Sequence, residues 1–281
     1  MSISIAYLGP SGTNTETAAL AYQSWLAKTK NQTSTLSPYA NISLTLKAVL
    51  NQEIDLAVVP VENSIQGSVA ITLDSVWKLE RLQIQTALVL PISHAILSYA
   101  PSLAKIETVY SHPQALAQCQ NWLERNLVDV RQVATNSTTE ALQYLKNDSS
   151  AAAISAPRAA RIYNLPILAQ QIQDYPDNCT CFWVLGLNPA IEGERMSVAF
   201  SISANVPGAL VKPLSIFADR GINLSRIESR PTKRSLGEYI FYIDLEVNGK
   251  EEFTKAALKE LSTYTEVLKI FGTYSVLPIS I

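Results

Sequence analysis

The sequence has few of the residues that bind metals or form disulfides. Its 281 residues include three cysteines (Cys119, Cys179 and Cys181) and two histidines. No cysteine pair has the C-x-x-C spacing of zinc ribbons and redox motifs, and only His94 and His112 could complete a zinc site. The sequence therefore predicts reduced thiols and no metal, because disulfide frameworks need paired cysteines.

Charge is also sparse, at 16 % of residues, with 22 Lys plus Arg against 24 Asp plus Glu. Without a basic excess we expect no nucleic-acid partner. The opening MSISIAYLGPSG lacks the charged start and apolar run of a signal peptide. No uncharged apolar run approaches the roughly 20 residues of a transmembrane helix. We therefore expect a cytoplasmic protein that does not contact a membrane.

What the sequence does contain is alternation of apolar strands with helices up to about residue 187, which predicts α/β layers with mainly parallel sheets. DLAVVPVENS is expected to be a buried strand that breaks at Pro60, and QTSTLSPYAN a surface loop. The polar stretch LNPAIEGER then separates a second region with the order β-α-β-β-α-β, which is the ferredoxin-like pattern. We predict one domain over 1–188 and another over 195–281.

Five polar clusters fall where predicted strands end and helices begin. They are GPSGT at 9–13, ENS at 62–64, SHPQ at 111–114, STTE at 137–140 and DNCT at 177–180. Ligands bind at such places in open α/β sheets, and helix N-termini suit anions. No Walker or G-x-G-x-x-G motif is present, so the pattern predicts a cleft for a small anionic molecule. STTE also has the spacing of a capping box, with Ser137 as the cap and Glu140 reaching back.

The stretch NCTCF allows three interpretations: a metal site, a redox pair, or a threonine placed for chemistry beside two bystander cysteines. The spacing and the shortage of histidine disfavour metal. Glu62, at the end of a buried strand, needs another explanation, because a carboxylate there must be hydrated, paired or used.

Five stretches resemble, in their order along the chain, the prephenate dehydratase family: YLGPSGT, VPVENSIQGSV, SHPQALAQC, STTEAL and IQDYPDNCTCF. The trailing stretches GALVKPL and ESRP resemble an ACT regulatory domain. The resemblance implies a two-lobed α/β catalytic domain similar to periplasmic binding proteins, followed by a ferredoxin-like ACT domain. It implies conversion of prephenate to phenylpyruvate with loss of CO2 and water. Aromatisation drives that reaction, so no cofactor or metal is expected.

The same resemblance implies the site residues. Thr180, in the family's T-R-F motif, would assist departure of the hydroxyl. The catalytic set is Thr180, Glu62, Asn63, Ser111 and Gln118. The substrate-binding set is Ser11, Gly12, Thr13, Ser64, His112 and Asn178. A threonine is too weak an acid to be a free proton source, so we add the hypothesis that a buried Glu62 with a raised pKa supplies the proton. The Gly12 region, Ser111 and the SHPQ helix start would grip the carboxylates.

Cys181 departs from the family, because it stands where T-R-F has arginine. Cysteine cannot replace a bidentate carboxylate partner. Either substrate binding is weakened, or the arginine only braces a loop and Arg158 or Arg161 takes over. Three other functions therefore stay open: an arogenate dehydratase, a prephenate decarboxylase and a non-catalytic amino-acid sensor.

The ACT resemblance implies an amino acid bound at a dimer interface, with phenylalanine as feedback inhibitor and a homodimer or tetramer as the assembly. The expected pocket residues are Asn205, Pro207, Gly208, Ala209, Leu210, Glu228, Ser229 and Arg230. From the residues alone, Gly208 could merely ease a tight turn, and Glu228 and Arg230 could form an ion pair on an edge strand.

Overall fold

A computed structural model describes residues 2–190, 192–202 and 206–279. The chain forms two lobes and a C-terminal domain. Lobe 1 comprises residues 2–91 and 179–190, and lobe 2 comprises residues 92–178.

Lobe 1 begins with five strands and three helices. They are β1 (Ile3–Leu8), α1 (Asn14–Lys30), β2 (Ser34–Tyr39), α2 (Ile42–Leu50), β3 (Leu56–Asn63), β4 (Gly67–Ser68), α3 (Ala70–Lys78) and β5 (Gln83–Pro91). Two helices start at polar caps: the side chains of Thr13 and Asn41 accept from the N–H groups of Glu16 and Leu44. The apolar faces of the helices cover a sheet whose central strands β3 and β5 are mostly buried, whereas the edge strand β2 is not.

Lobe 2 has its own five-stranded sheet, in the order β10-β6-β9-β7-β8. Its elements are β6 (Ala95–Ser98), β7 (Thr108–Ser111), α4 (Pro113–Gln118), α5 (Gln120–Asn126), β8 (Arg131–Ala134), β9 (Ala151–Ser155), α6 (Pro157–Tyr163) and β10 (Ile167–Gln170), with 3-10 helices at Leu103–Lys105 and Glu140–Asn147. The chain then returns to lobe 1 as β11 (Cys179–Gly186), which lies between β5 and β3. Two segments therefore cross between the lobes, at 92–94 and 171–178.

The C-terminal domain follows the predicted order. It consists of β12 (Arg195–Ser201), α7 (Val211–Ala218), β13 (Asn223–Pro231), β14 (Tyr239–Glu246), α8 (Glu251–Leu261) and β15 (Val267–Pro278). The first part of β15 pairs with β12, and its last four residues pair with β5 of lobe 1 in parallel. One continuous sheet therefore joins this domain to lobe 1, in the order β13-β14-β12-β15-β5-β11-β3-β1-β2. The predicted fold class, a two-lobed α/β domain followed by a ferredoxin-like domain, is confirmed.

The expectation of mainly parallel sheets is wrong, because β11 is antiparallel to β3 and β5, and β6 is antiparallel to β9 and β10.

Two local predictions were also wrong, and both concern proline. The expected loop at 32–41 contains β2, which pairs in parallel with β1 through Pro38 at the edge of the sheet. The strand β3 does not break at Pro60 but runs through it, next to a bulge in its pairing with β11. Proline is tolerated on edge strands and at bulges because no ladder hydrogen bond is needed from its nitrogen.

The sequence showed no run that could span a membrane. Of the helices in the described ranges, none combines the length and the hydropathy that a membrane crossing requires.

Candidate active site

The ends of two neighbouring strands in lobe 1 bring the candidate residues together. Thr180 near the start of β11 lies directly opposite Asn63 at the end of β3. Asn178 immediately precedes β11, and Gln118 reaches the same point from α4 of lobe 2. Asn63, Gln118 and Asn178 are each at most 3 % exposed, whereas Thr180 is only partly buried. Four of the residues predicted from the sequence thus form one cluster between the lobes.

Backbone groups fix the orientation of the Asn63 amide. The N–H groups of Ile65 and Gln66 donate to Asn63 Oδ1 over 3.1 and 3.2 Å. The amide nitrogen must therefore point the other way, where Nδ2 lies 2.8 Å from Asn178 Oδ1, 3.0 Å from Thr180 Oγ1 and 3.1 Å from the carbonyl oxygen of Cys179. Since an amide NH2 only donates, the Thr180 oxygen accepts in this bond. Its own hydrogen remains available for a group in the cleft.

The remaining amides follow from that orientation. Gln118 Nε2 donates to Asn63 Oδ1 over 3.2 Å, and Asn178 Nδ2 donates to Gln118 Oε1 over 3.1 Å. Ser64 donates to Asn178 Oδ1 over 3.3 Å. The imidazole of His94 also contacts Gln118 Oε1, at 2.9 Å. His94 was considered only as a possible metal ligand, although a lone histidine inside the apolar stretch PISHAIL was a signal that it is buried.

Glu62 does not lie in this cluster. Successive side chains of a strand point to opposite faces, so Glu62 points away from Asn63. Its carboxylate is 4.0 Å from Arg226 Nε of the C-terminal domain, and its side chain is 43 % exposed. The hypothesis that Glu62 is a buried proton donor is therefore wrong in its premise: the side chain is not buried, and it is on the other face.

Ser111 and His112 lie at the carboxyl end of β7, as expected, but are not joined to the amide cluster by any described hydrogen bond. Ser111 is fully buried and donates to the carbonyl oxygen of Ile154 over 2.7 Å. His112 caps α4, where its Nδ1 accepts from the N–H of Gln114 over 3.2 Å. Burial lowers the pKa of His112, which keeps this nitrogen available as an acceptor. Ser111 thus presents no free donor to a substrate in this conformation, whereas the proton of neutral His112 lies on Nε2, for which the described residues provide no hydrogen bond.

The GPSGT loop already holds a carboxylate of the protein itself. The N–H of Gly12 donates to Glu16 Oε2 over 2.8 Å, and Thr13 caps α1 through the N–H of Glu16. Arg158 of lobe 2 forms an ion pair with the same carboxylate. Burial opposes ionisation of Glu16, but the hydrogen bonds from Gly12 and Arg158 prevail and lower its pKa. The expected use of the Gly12 N–H for substrate is therefore not available in this conformation.

The two lobes also touch around this loop. Tyr163 of lobe 2 donates to the carbonyl oxygen of Ser11 over 3.1 Å. Gly12 has a φ of +89°, and a Cβ there would lie 2.8 Å from a methyl carbon of Thr139. Only glycine suits that position, because both the backbone conformation and the neighbouring lobe exclude a side chain.

The STTE cluster has a structural role. Ser137 Oγ accepts from the N–H of Glu140 over 3.0 Å, and the Glu140 carboxylate accepts from the N–H of Asn136 over 2.8 Å. The prediction of Ser137 as the N-cap is wrong: the 3-10 helix begins at Glu140, and its cap position is Thr139, which makes no side-chain cap hydrogen bond. The bonds of Ser137 and Glu140 instead close the turn before the helix, and Glu140 reaches one residue further back than a capping box requires.

Cys181 lies opposite Glu62 in the pairing of β11 with β3, so it too faces away from Asn63 and Thr180. Burial raises the pKa of Cys181 to about 12, with Asp244 adding to the effect and Arg226 opposing it. The arginines whose charge acts on this thiol are Arg226 and Arg195 rather than Arg158 or Arg161. All three cysteines are free thiols. Within the described ranges, no group of three or more His, Cys, Asp or Glu side chains could hold a metal ion.

The sequence model of prephenate dehydratase matches residues 5–190, which is more than half of the chain. The chain belongs to the prephenate dehydratase family. Its activity is therefore that of a lyase that converts prephenate to phenylpyruvate by decarboxylating dehydration. The ACT domain model matches residues 198–262, so the chain carries a C-terminal ACT regulatory domain.

Individual relatives agree with this assignment over nearly the full length. The prephenate dehydratase of Lactococcus lactis is 38 % identical over 281 residues, covering 97 % of both chains. The bifunctional chorismate mutase/prephenate dehydratase of Aquifex aeolicus is 40 % identical over 97 % of this chain and 73 % of its own. The solved prephenate dehydratase of Arthrobacter aurescens, in complex with L-Phe, superposes with a TM-score of 0.85 at 33 % identity, covering 97 % of this chain and 90 % of that one.

The residues expected to form the effector pocket lie in two separate places in the ACT domain. The turn at Pro207, Gly208, Ala209 and Leu210 precedes α7, and Gly208 has a φ of +79°. Among the described residues, a Cβ on Gly208 would meet only a methyl carbon of Val211, at 4.0 Å, so these residues leave space beside the turn. Asn205 lies outside the described residues.

The charged residues of the ESRP motif are turned towards lobe 1. Glu228 accepts from Ser68, and the Arg230 guanidinium holds Asp74 through two bonds of 3.2 and 3.3 Å. Ser229 is on the other, exposed face of β13. Glu228 and Arg230 thus dock the ACT domain onto lobe 1, and the alternative that they pair with each other on an edge strand is wrong.

Proposed function

We propose that Thr180 donates the hydrogen bond that lets the hydroxyl group of prephenate depart, while the ring carboxylate leaves as CO2. The orientation of the Asn63 amide is the observation that carries this proposal. Because Asn63 Nδ2 donates to Thr180 Oγ1, the hydroxyl hydrogen of Thr180 is free to point at the leaving oxygen.

The reaction needs little more from the protein than orientation and this donor. As the C–CO2 bond breaks, its electron pair enters the ring, the C–O bond breaks, and the departing oxygen acquires a proton to become water. Hydroxide leaves poorly unless charge on it is stabilised in the transition state. Asn63, Gln118 and Asn178 are neutral amides, so they orient Thr180 rather than supply the proton. The proton reaches the leaving oxygen from water through the Thr180 hydroxyl.

We further propose that Arg158 binds a substrate carboxylate. Its guanidinium lies between the lobes and is now held by Glu16. An arginine fork matches a carboxylate bidentately, so a substrate carboxylate can replace Glu16 as its partner. The substrate-binding roles predicted for Ser11, Gly12, Thr13, Ser64 and His112 remain predictions.

Turnover of prephenate by wild type and Thr180→Val tests the proposal. Wild type should yield phenylpyruvate, and the variant should lose on the order of 100-fold in kcat, as for removal of one transition-state donor. Thr86→Val is the matched control, because Thr86 Oγ1 donates to a carbonyl oxygen of β15 away from the cleft. Equal kcat in wild type and Thr180→Val would refute the role of Thr180.

The products separate the other functions. A decarboxylated product that keeps its hydroxyl would identify a prephenate decarboxylase, and faster turnover of arogenate an arogenate dehydratase. No turnover of either compound would leave a non-catalytic sensor. Each result would contradict the proposal in a different way.

We propose phenylalanine as the effector of the ACT domain, acting in a homodimer or tetramer. The support is the open turn at Gly208 and the related Arthrobacter enzyme solved with L-Phe. An inhibitor must bind the less active state more tightly, and prephenate must then weaken its binding by the same factor.

Calorimetry with L-phenylalanine tests the effector proposal. Gly208→Val should abolish the binding heat, because a β-branched residue is strained at positive φ and fills the open space. Gly249→Val is the control at another glycine of the same domain with positive φ, +67°. Absence of heat in the wild-type protein would remove the proposal.

A further inference from the structure

His94 lies on the first segment that crosses between the lobes, between β5 and β6. Its backbone ties the two crossing segments together: its N–H donates to Gln173 Oε1 over 3.1 Å, and its carbonyl oxygen accepts from the N–H of Ile172 over 3.1 Å. The side chain is buried, with 3 % of the residue exposed. The backbone of His94 is therefore fixed relative to both crossings, and its imidazole is enclosed.

The hydrogen bonds of the amide cluster determine which nitrogen of His94 carries the proton. Gln118 Nε2 faces Asn63 Oδ1, so Gln118 Oε1 is the atom that faces Asn178 Nδ2 and His94 Nε2. A carbonyl oxygen only accepts, so His94 Nε2 must be protonated. His94 Nδ1 has no hydrogen-bond partner in the part of the chain that the structure describes. A neutral Nε2–H imidazole satisfies the contact with Gln118 and avoids a second buried N–H without an acceptor.

The charge state agrees with this tautomer. Burial lowers the pKa of His94, and the hydrogen bond with Gln118 opposes that effect only in part. The ring therefore stays neutral at neutral pH, as the amides around it do.

We propose that His94 is a positioning residue for the dehydration, which holds the Gln118 amide so that its Nε2 donates to Asn63 Oδ1. This bond supports, beside the N–H groups of Ile65 and Gln66, the orientation that keeps the Asn63 NH2 group on Thr180. This inference rests on the proposed role of Thr180. A chain of hydrogen bonds leads from His94 on the first crossing segment to Gln118 of lobe 2. It continues from Gln118 to Asn63 and Thr180 at the strand ends of lobe 1. Movement of one lobe relative to the other thus changes the contact that orients the Thr180 hydroxyl. Asn178, at the end of the second crossing, closes the same path.

A substitution that keeps the ring but removes the donor tests this. His94→Phe should lower kcat about tenfold and change KM less than twofold, because one oriented hydrogen bond of roughly 1 to 1.5 kcal/mol is lost before the transition state is reached. His94→Gln places an amide N–H near the former Nε2 and should restore most of the kcat. Ser98→Ala is the control: Ser98 is fully buried in β6 and donates to the carbonyl oxygen of Ala151, away from the amide cluster. It should lower the melting temperature and leave kcat unchanged.

A double-mutant cycle separates positioning from general destabilisation. If His94 acts through Thr180, His94→Phe should have little further effect on kcat in the Thr180→Val background. The same tenfold loss in both backgrounds would mean that His94 only supports the fold, and would overturn the inference. An unchanged kcat for His94→Phe, alongside a large loss for Thr180→Val, would sink the inference and leave the proposed function intact.

A spectroscopic measurement determines the tautomer in the wild-type protein, and a variant is needed only to assign the signals. The chain has two histidines, so 15N-histidine NMR gives two imidazole spin systems, and His112→Asn assigns them. His94 should appear as a neutral ring with a proton on Nε2 and none on Nδ1. A proton on Nδ1, or rapid exchange between the tautomers, would show that His94 does not donate to Gln118 and would refute the inference whatever the kinetics.

Discussion

The two faces of the β3–β11 pair differ completely in chemistry, although they are one residue apart in sequence. On the cleft face, Asn63 and Thr180 meet neutral amides in a chain of hydrogen bonds. On the opposite face, Glu62 and Cys181 meet the charged side chains of the ACT domain. Because strand side chains alternate, a shift of one residue in this pairing would exchange the two sets.

The opposite face is organised around Arg226. Its guanidinium holds Asp244 through bonds of 2.7 and 3.3 Å and lies 5.5 Å from the centre of the Trp183 ring. Its side chain is 9 % exposed, and Nη1 has no partner among the residues of the described ranges. The neutral face is suited to orienting a hydroxyl, whereas the charged face joins the regulatory domain to the backs of the same strands.

The largest expected effect comes from converting the neutral face into a charged one. Asn63→Asp keeps the shape of the side chain but replaces the NH2 group with an acceptor. Thr180 should then donate to the new carboxylate, and its hydrogen is lost to the substrate. We expect kcat to fall by about 100-fold to 1000-fold. Steady-state kinetics with prephenate measures this, with Asn51→Asp, at an exposed helix end, as the control. Retention of more than half of the activity would contradict the orientation derived for Thr180.

The second prediction concerns removal of the Arg226 cation from the charged face. Arg226→Leu leaves Asp244, which is 9 % exposed, without its cation and should cost about 3 kcal/mol of unfolding free energy. Adding Asp244→Asn should recover part of that loss, because the unpaired buried charge is then removed. Denaturant unfolding measures both.

The matched control for this prediction is Arg234→Leu, at an exposed arginine of the same domain that pairs with Glu266. Exposed pairs contribute at most about 1 kcal/mol. An equal loss for Arg226→Leu and Arg234→Leu would mean that burial of Arg226 has no energetic importance.

The sequence could predict the parts of this arrangement that depend on neighbouring residues, but not the contacts between residues far apart in the chain. The period of the strands located the polar clusters at their ends, and the family resemblance selected Asn63, Thr180, Asn178 and Gln118 as site residues. Alternation along β3 could also have separated Glu62 from Asn63, because adjacent strand residues face opposite ways. Nothing in the sequence places Arg226 against Glu62, since that contact depends on how the ACT sheet continues into lobe 1.

The GPSGT loop is a second place where the sequence predicts only part of the site. Its glycines and helix start correctly predict an anion beside the Gly12 N–H, but the anion in this conformation is Glu16, four residues further along the chain. Local pattern gives the chemistry of such a site, whereas the identity of the occupant depends on side-chain packing and on Arg158 from the other lobe.

The smallest expected effect concerns the ion pair between Glu16 and Arg158, which joins the two lobes. The folded state lowers the pKa of Glu16, so the pair adds stability above the ordinary glutamate pKa of about 4.5 and loses it as pH falls through the lower folded value. Glu16→Gln should cost about 1 kcal/mol at pH 7. The difference from wild type should shrink as the pH is lowered below about 4.5, because wild-type Glu16 then becomes protonated. Thermal unfolding between pH 3 and 7 measures this.

Glu252→Gln, which removes the exposed pair with Lys255, should show a smaller cost at every pH. A difference between wild type and Glu16→Gln that is constant from pH 7 to 3 would mean that Glu16 is not ionised in the folded protein, and the lobes would then be joined here by a neutral hydrogen bond.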